Sequence, residues 1–217
     1  MNGRLRFLVS AGPTHEPIDA VRYIANRSSG TLGLALAEVI LARGHQLDLV
    51  LGPSPLKPPA AANVERVETA AQMLAALARR FPHTDVLIMA AAVADVRPKQ
   101  CANGKLKKDA LGDVLQLEKT PDILCELGRI RAHQIVVGFA LESLGGDAAL
   151  AEAARKARDH GCDLVVLNGA GSMGGTDAEE VSFVQRNGAH ESLGSLPKSA
   201  LALRLVEWCE REGRSRA

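Results

Sequence analysis

Short apolar segments alternate along the chain with segments in which apolar residues recur at helical spacing. The apolar segments predict strands at Arg4–Ser10, Gln46–Leu51, Asp85–Ala92, Ile135–Ala140 and Leu164–Leu167, and weaker strands around Val181–Gln185 and Ala189–Leu193. The helical spacing predicts helices at Gly30–Arg43, Thr69–Arg80, from Thr120 onward, Asp147–His160 and Leu201–Glu212. This alternation predicts an α/β fold with a mainly parallel sheet that is covered by helices on both faces.

Two of the predicted helices carry start signals. Thr69 and Gln72 have the spacing of a capping box. Thr120, Pro121 and Asp122 combine a cap, a proline at the first helical position and an acidic first turn. Both patterns predict that a helix begins at the end of a loop.

The composition is that of a globular domain without a strong overall charge. Of 217 residues, 47% are hydrophobic and 24% are charged, and 26 basic and 25 acidic side chains give a formal net charge of +1. This balance provides no global attraction to nucleic acid or to an anionic membrane, and 3% aromatic residues argue against base-stacking surfaces. We therefore expect a single domain over residues 1–217 that holds its ligands at a local site.

The cysteines and the N-terminal segment favour a cytoplasmic protein. Cys101, Cys125, Cys162 and Cys209 show no C-x-x-C spacing and no histidine at zinc-ligand spacing, so we expect free thiols and no structural zinc site. The N-terminus lacks the apolar segment of a signal peptide, and no apolar run reaches the ~18 residues that a membrane span needs. We expect no membrane partner and no nucleic-acid partner.

A long polar stretch after the first predicted strand is the first candidate for chemistry, because ligands of α/β sheets bind at the carboxyl ends of strands. It ends at Ser28-Ser29-Gly30, directly before a predicted helix whose free N–H groups favour a phosphate. The stretch lacks G-x-G-x-x-G, and Gly104-Lys105 is followed by Leu106. Neither a standard dinucleotide fingerprint nor a Walker A loop is therefore present.

A second candidate region follows the predicted strand Asp85–Ala92. Asp95 fits two roles: it accepts a hydrogen bond from a ribose or a base, or it caps a turn. Residues 96–113 carry several basic and few apolar side chains, which predicts a mobile basic loop. Lys105 in that loop either closes over a polyphosphate or is an ordinary solvated charge, and composition alone does not separate the two.

A long, ordered set of motifs carries a family resemblance. The motifs are Gly12-Pro13-Thr14-His15-Glu16-Pro17-Ile18-Asp19, Val21-Arg22-Tyr23-Ile24, Asn26-Arg27-Ser28-Ser29-Gly30, Met89-Ala90-Ala91-Ala92-Val93-Ala94-Asp95, Lys105-Leu106-Lys107-Lys108, Lys119-Thr120-Pro121-Asp122-Ile123-Leu124 and Val137-Gly138-Phe139-Ala140. Together they resemble phosphopantothenoylcysteine synthetase, the ligase of coenzyme A biosynthesis. The resemblance implies a Rossmann-like three-layer sandwich with a mobile basic flap and a C-terminal strand pair that is used in dimerisation.

The same resemblance implies a reaction. The family joins 4′-phosphopantothenate to cysteine, and its bacterial members spend CTP whereas eukaryotic members use ATP. CTP and Mg²⁺ are therefore implied, together with an acyl-cytidylate intermediate that supplies the leaving group which a carboxylate lacks. The flavin decarboxylase that is often fused to this ligase has no counterpart in the sequence, so we expect no flavin, and a separate decarboxylase chain is a candidate partner.

Site residues carry over from the family position by position. Asn26 corresponds to the asparagine near the activated acyl group, where donation to the developing oxyanion is worth about 3 kcal/mol. Arg22 would help to hold the acyl intermediate, and Lys105 corresponds to the flap lysine. Phosphopantothenate is assigned to Ser28, Ser29 and Gly30. The implied nucleotide contacts are Met89, Ala90, Ala91, Asp95, Lys105, Glu118, Lys119, Thr120, Pro121, Phe139, Lys156 and His160. The motifs do not identify metal ligands.

Some positions depart from the family pattern. His160 stands where the family usually has lysine, Leu167-Asn168-Gly169 replaces Ala-Asn-Asp, and Glu179 replaces an asparagine. The segment Gly138–Asp163 is also longer than usual. Because an imidazole holds a phosphate less firmly than an ammonium group, these changes leave the choice between CTP and ATP open.

Two other functions stay open from the sequence. One is a Rossmann-type NAD(P)-dependent oxidoreductase that uses the same sheet, which NAD(P)H binding would identify. The other is a non-catalytic nucleotide-binding homologue, which would bind CTP without releasing pyrophosphate. For the ligase we expect phosphopantothenate, cysteine and CTP as substrates and a homodimer as the assembly.

Overall fold

The computed structural model describes residues 3–107, 114–142, 146–172 and 175–216. Within these ranges the strands are β1 (Arg6–Ala11), β2 (His15–Pro17), β3 (Tyr23–Ala25), β4 (Gln46–Leu51), β5 (Asn63–Arg66), β6 (Val86–Met89), β7 (Val96–Pro98), β8 (Leu117–Lys119), β9 (Ile135–Glu142), β10 (Leu164–Gly169), β11 (Asp177–Gln185) and β12 (His190–Pro197). The helices are α1 (Thr31–Ala42), α2 (Ala70–Arg80), α3 (Ile123–Gly128), α4 (Gly146–Asp159) and α5 (Lys198–Arg216), with 3₁₀ turns at Phe81–His83 and Ala170–Ser172.

Eight strands form one sheet in the order β12-β11-β10-β9-β6-β1-β4-β5. Neighbours from β5 to β10 are parallel, and β11 and β12 extend the sheet in antiparallel fashion. The strand order reverses between β1 and β6, because the chain first builds outward through β4 and β5 and then returns to the other side of β1. Ligands of open α/β sheets bind in the crevice at such a reversal, outside the carboxyl ends of the strands.

Helices cover both faces of the sheet. Alternate residues of β1 show the division, because successive side chains of a strand point to opposite faces. Phe7 and Val9 belong to a core that includes Leu36 of α1 and Leu205 of α5, whereas Leu8 belongs to a second core with α2, α3 and α4. The predicted Rossmann-like three-layer sandwich with a mainly parallel sheet is confirmed.

The predicted helices and strands of the large sheet are present, with boundaries that differ at the ends. The capping box is also present: Thr69 Oγ1 accepts a hydrogen bond from the backbone N–H of Gln72, and Gln72 Oε1 accepts one from that of Thr69, each at 3.2 Å. None of the described helices is long and apolar enough to cross a membrane.

The sequence pattern missed three local features. The polar stretch after β1 was expected to be irregular, but β2 and β3 pair within it, with His15 opposite Ala25. Strand β5 was not predicted. The basic loop was expected to begin at residue 96, but β7 pairs with β8 there, with Val96 opposite Lys119. Strands of three or four residues are too short to show a period of two, so only their tertiary pairing defines them. Residues 108–113 of that loop lie outside the described residues.

The predicted cap of α3 was wrong by two residues. Asp122 is the N-cap, because its Oδ1 accepts a hydrogen bond from the backbone N–H of Cys125 at 3.0 Å. Thr120 instead donates its hydroxyl to the carbonyl of Ala94 at 2.5 Å, directly after β8. Pairing of β8 with β7 holds the chain extended up to this point, so the helix begins later.

Helix α5 is tied to the region after α1 through a buried carboxylate. Glu210, 8% exposed, accepts hydrogen bonds from Arg43 Nε at 2.7 Å and from His45 Nε2 at 2.8 Å. His45 Nδ1 accepts the backbone N–H of Leu5, so its proton resides on Nε2. The Arg43 guanidinium, followed by His45, lowers the pKa of Glu210 to about 2.

Glu210→Gln is expected to reduce the free energy of unfolding at neutral pH and to have little effect in strong acid. The folded-state pKa of about 2 lies below the ordinary value of 4.5, so the ionised carboxylate stabilises the fold above about pH 4.5 and loses this contribution as the pH falls towards 2. The full contribution is about 3 kcal/mol. Urea unfolding of both proteins at several pH values between neutral and acidic measures the difference.

Glu207→Gln is the matched control for this measurement. Glu207 Oε1 lies 3.9 Å from Arg43 NH1 and its side chain is 38% exposed, so its removal should change stability little. A stability difference between wild type and Glu210→Gln that stays constant across the pH range would contradict the assigned role of the carboxylate.

Candidate functional site

A cavity of about 800 Å³ opens at the carboxyl edge of the sheet, where the strand order reverses. Binding pockets for small molecules typically measure about 300–1,000 Å³, so this one is large enough for more than a single small ligand. The ends of β6, β9 and β10, the starts of α1 and α3, and the end of the polar stretch form its walls. Its lining residues are Asn26, Ser28, Ser29, Gly30, Thr31, Leu32, Gly33, Met89, Ala90, Ala91, Ala92, Val93, Asp95, Val96, Lys119, Thr120, Asp122, Ile123, Leu124, Phe139, Ala140, Leu141, His160, Asn168, Ser172 and Lys198.

Close backbone contacts at three glycines bring the polar stretch to the sheet edge. A Cβ at Gly52, directly after β4, would lie 1.8 Å from the carbonyl oxygen of Pro13, and a Cβ at Gly30 would lie 3.3 Å from Gly12 Cα. Gly30 also has φ +84° and is the N-cap of α1. Only glycine allows the chain after β1, the chain before α1 and the chain after β4 to approach so closely. This contact positions the start of α1 beside the cavity.

Buried polar side chains fix the polar stretch from within. Thr14 Oγ1 accepts a hydrogen bond from the backbone N–H of Ala94 at 3.0 Å, and Glu16 Oε1 accepts one from that of Ala70 at 2.8 Å. Both side chains are almost completely buried. The first bond joins the stretch to the segment after β6, and the second joins it to the start of α2. Neither residue was predicted from the sequence to have a role of its own.

Arg22 does not line the cavity but pairs with a buried carboxylate. Its Nε donates to Asp19 Oδ2 at 3.0 Å and its NH2 group donates to the carbonyl of Leu106 at 3.0 Å. The backbone N–H of Leu106 in turn donates to Asp19 Oδ2 at 3.1 Å. The Arg22 guanidinium holds the pKa of Asp19 well below its usual range. This pair therefore anchors the basic segment directly next to Lys105, which is itself exposed.

Asn26 lines the cavity and connects two of its walls. Its Nδ2 donates to the carbonyl oxygens of Val93 at 2.9 Å and Ala92 at 3.4 Å, both in the segment after β6. No described residue donates to its Oδ1, which leaves the carboxamide oxygen as the atom available to a ligand. The N–H groups expected to serve an oxyanion are bound to backbone carbonyls here, so donation to a ligand requires that they exchange partners.

The inner wall contains two polar residues that the sequence analysis did not select as site residues. Asn168, at the end of β10, is 9% exposed, and its Oδ1 has no hydrogen-bond partner within the part of the chain that the structure describes. Lys198, at the start of α5, is 7% exposed and donates to the carbonyl of Gly175. Burial lowers the pKa of Lys198. The position of Asn168 after a strand was a usable signal, whereas nothing in the sequence near Lys198 pointed to this cavity.

Most predicted contacts meet at the cavity, and a few do not. The residues that line it as predicted are Ser28, Ser29, Gly30, Met89, Ala90, Ala91, Asp95, Lys119, Thr120, Phe139 and His160. The predicted contacts Lys105, Glu118, Pro121 and Lys156 are not among the lining residues. Glu118 Oε1 accepts a hydrogen bond from Arg97 at 2.8 Å, and Lys156 donates to Glu142 at 2.6 Å.

A group of possible metal ligands lies at the edge of the cavity. Asp122, Cys125 and His160 each offer one ligand atom, and these atoms lie within 4.8 Å of one another. Asp122 and His160 also line the cavity, as does Asp95, whose carboxylate belongs to a different wall. Of these four residues, only Cys125 offers a sulfur ligand.

Comparison with known proteins gives a consistent family. Residues 2–211 match the family model described as the DNA/pantothenate metabolism flavoprotein C-terminal domain. The coenzyme A biosynthesis bifunctional protein CoaBC of Mycobacterium tuberculosis is 40% identical over 215 residues, covering 93% of this chain and 51% of that protein. The chain thus spans about half the length of the curated relatives it matches.

Solved structures show the same fold. The C-terminal domain of a CoaBC protein superimposes with a TM-score of 0.83 at 34% identity, covering 98% of this chain and 97% of that one. A mutant of Cab2 in complex with phosphopantothenate-cysteine gives a TM-score of 0.78 at 18% identity, covering 97% and 88%. The second likeness concerns the fold alone.

Proposed function

This chain belongs to the family of the DNA/pantothenate metabolism flavoprotein C-terminal domain, and from that premise we propose that it is a phosphopantothenate–cysteine ligase of coenzyme A biosynthesis. One observation carries the proposal. Asn26 and the segment Ser28–Gly30 line the same cavity as the segment after β6, Thr120 and Phe139. A ligase must hold an acid and a nucleotide together, and one cavity lined by both groups of residues supports that role.

In the proposed first step, a carboxylate oxygen of phosphopantothenate attacks the α-phosphorus of CTP. The bond to pyrophosphate breaks, and an acyl-cytidylate remains. The phosphate of phosphopantothenate would lie at the start of α1, where the first N–H groups of a twelve-residue helix have no intrahelical acceptor. The Ser29 and Thr31 hydroxyls, 2.7 Å apart, lie at the same place.

In the proposed second step, the cysteine amine attacks the acyl carbon, CMP leaves with the bonding electron pair, and the amine nitrogen gives up one proton to solvent as the amide forms. The tetrahedral intermediate carries an oxyanion, which an amide donor stabilises. Asn26 lines the cavity beside the segment after β6, and its proposed role there is the one that the resemblance implies. To serve the oxyanion, the Asn26 amide would release the carbonyls of Ala92 and Val93. Stabilisation of the oxyanion would therefore depend on the position of the segment after β6, which is proposed to contact the nucleotide.

Charged groups of the cavity support binding of a triphosphate. The buried ammonium group of Lys198 lines the cavity and is suited to phosphate oxygens, which accept charge-assisted hydrogen bonds. Lys105 is not among the lining residues, so its proposed contact with a triphosphate requires movement of the segment that carries it. We propose Mg²⁺ as the companion of the nucleotide, because the cavity offers the Asp95 carboxylate and Mg²⁺ prefers oxygen ligands. When bound, the ion would neutralise charge on the phosphates.

A pyrophosphate-release assay tests the proposal, with CTP and ATP in parallel. We expect release with CTP that depends on phosphopantothenate, and formation of the amide product only when cysteine is added. CTP binding without release of pyrophosphate would instead indicate a non-catalytic homologue. In a separate fluorescence titration, a change in NAD(P)H fluorescence on addition of the protein would indicate an oxidoreductase. Absence of release with both nucleotides from folded protein would contradict the ligase.

We also propose a homodimer in which β11 and β12 contribute to the interface. Strand β12 is the edge of the large sheet and most of its residues are exposed, so its outer backbone groups are available to a second chain. Sedimentation measures the assembly.

A separate decarboxylase chain is a candidate partner. The four free cysteines are consistent with a cytoplasmic location.

A further inference from the structure

We propose that Asp122, Cys125 and His160, named here the metal triad, bind one zinc-class dication at the edge of the cavity. His160 Nδ1 lies 3.3 Å from Asp122 Oδ2 and 3.7 Å from Cys125 Sγ. Three different ligand types, a carboxylate, a thiol and an imidazole, therefore converge from two parts of the chain. This site does not depend on the ligase function proposed above.

Two of the three separations within the metal triad match those of a tetrahedral ion, and the third, between Asp122 and Cys125, is within 4.8 Å. Zinc binds oxygen and nitrogen at about 2.0–2.1 Å and thiolate sulfur at about 2.3 Å. At the tetrahedral angle these bond lengths separate the oxygen from the nitrogen by about 3.3 Å, and the nitrogen from the sulfur by about 3.6 Å. The distances from His160 to Asp122 and Cys125 are 3.3 Å and 3.7 Å, so both of these pairs already have the spacing that a shared ion requires.

Local structure orients each member of the metal triad. Asp122 Oδ1 accepts the backbone N–H of Cys125 at 3.0 Å, and this bond directs Oδ2 towards His160. His160 directly follows α4, and its backbone N–H donates to the carbonyl of Lys156 at 3.0 Å. The first of these bonds holds a carboxylate ligand from behind, as is typical of metal sites, and the second fixes the backbone from which His160 projects.

The ligand set selects the class of metal. A thiolate with an imidazole suits zinc and cobalt, whereas Mg²⁺ prefers oxygen ligands only, so this site differs from the one proposed near Asp95. The carboxylate and thiolate together balance the charge of a dication. Three protein ligands leave a fourth position open, as in sites where zinc binds an exchangeable ligand. Because Asp122 and His160 line the cavity, water or a ligand in the cavity can reach that position.

Titration with Co²⁺ tests the site directly, because cobalt replaces zinc and absorbs light. The full chain is treated with a chelator, freed of it, and titrated with Co²⁺ alone. We expect one ion per chain, a charge-transfer band from thiolate to cobalt and the intense visible bands of four-coordinate cobalt, all removed by one equivalent of Zn²⁺. Cys125→Ser should abolish the charge-transfer band, and His160→Gln should weaken Co²⁺ binding by at least about 100-fold.

Two variants of similar chemistry serve as controls. Cys101→Ser removes an exposed thiol elsewhere, and His133→Gln removes an imidazole that is 57% exposed, so both should bind Co²⁺ as the wild type does. Thermal unfolding shows whether each variant is folded. If Cys125→Ser does not fold, the loss of Co²⁺ affinity in folded His160→Gln tests the site instead. Absence of the charge-transfer band in the wild type, or its persistence in folded Cys125→Ser, would overturn the proposal. The pyrophosphate assay is separate, so failure of the metal site and failure of the ligase are distinguishable.

Discussion

Asn26→Asp is expected to lower the rate of product formation about 100- to 1,000-fold while CTP affinity stays close to that of the wild type. The substitution removes the N–H groups that bind the carbonyls of Val93 and Ala92 and that would serve the oxyanion. It also places a carboxylate where negative charge develops in the proposed second step. Single-turnover measurement of pyrophosphate release and of amide formation separates the two steps, and equilibrium titration measures the affinity for CTP.

Asn187→Asp is the matched control for this variant. Asn187 lies in the turn between β11 and β12, and its Oδ1 accepts the backbone N–H of Ala189 at 2.9 Å, a bond that aspartate retains. It should leave both rates unchanged. Wild-type rates in Asn26→Asp would show that Asn26 has no part in the proposed mechanism. A loss of CTP affinity as large as the loss of rate would indicate that the asparagine mainly holds the cavity walls together.

Gly52→Ala is expected to destabilise the protein by more than about 3 kcal/mol, the largest stability effect that the described structure predicts. The added Cβ would lie 1.8 Å from the carbonyl oxygen of Pro13, a backbone atom that cannot rotate away as a side chain can. Relief requires the loop after β1 to separate from the end of β4. Because Gly52 N also donates to the carbonyl of Ala11 at 2.9 Å, this movement would weaken sheet contacts as well.

Chemical unfolding of the purified variant measures this effect, with Gly104→Ala as the control. A Cβ at Gly104 meets nothing within 4 Å, so the same change of glycine to alanine should alter stability by less than about 0.5 kcal/mol. A loss below about 1 kcal/mol in Gly52→Ala would show that the loop adjusts at low cost, contrary to the tight contact described here.

The sequence identified the main sheet and the cavity walls well because both depend on local signals. Buried parallel strands are short apolar runs, and the capping box at Thr69 marks the start of α2. The rule that ligands bind beyond strand ends then directed attention to Ser28–Gly30 and to Asp95, and the family resemblance added Met89–Ala91. These segments do line one cavity in the structure.

The remaining features depend on residues that are far apart in the chain. Lys198 lies in the last helix, yet it reaches the wall formed by Asn168 and Ser172. Arg22 was expected to hold an intermediate, but the buried carboxylate of Asp19 binds it and directs it to Leu106. No spacing rule predicts such partners, because their proximity is produced by packing of complete elements.

The sequence by itself determined the α/β class, the family resemblance and the residues at the strand ends, since apolar periodicity and motif order are properties of neighbouring residues. Only the tertiary structure decided what those residues face. The sequence has no histidine at zinc-ligand spacing from a cysteine. Cys125 and His160 are nevertheless close in the fold: they are separated by 35 positions, and Cys125 Sγ lies 3.7 Å from His160 Nδ1. Parallel strands require crossover connections, so they bring distant segments to one edge of the sheet, and contacts made there are set by packing that the linear pattern does not contain.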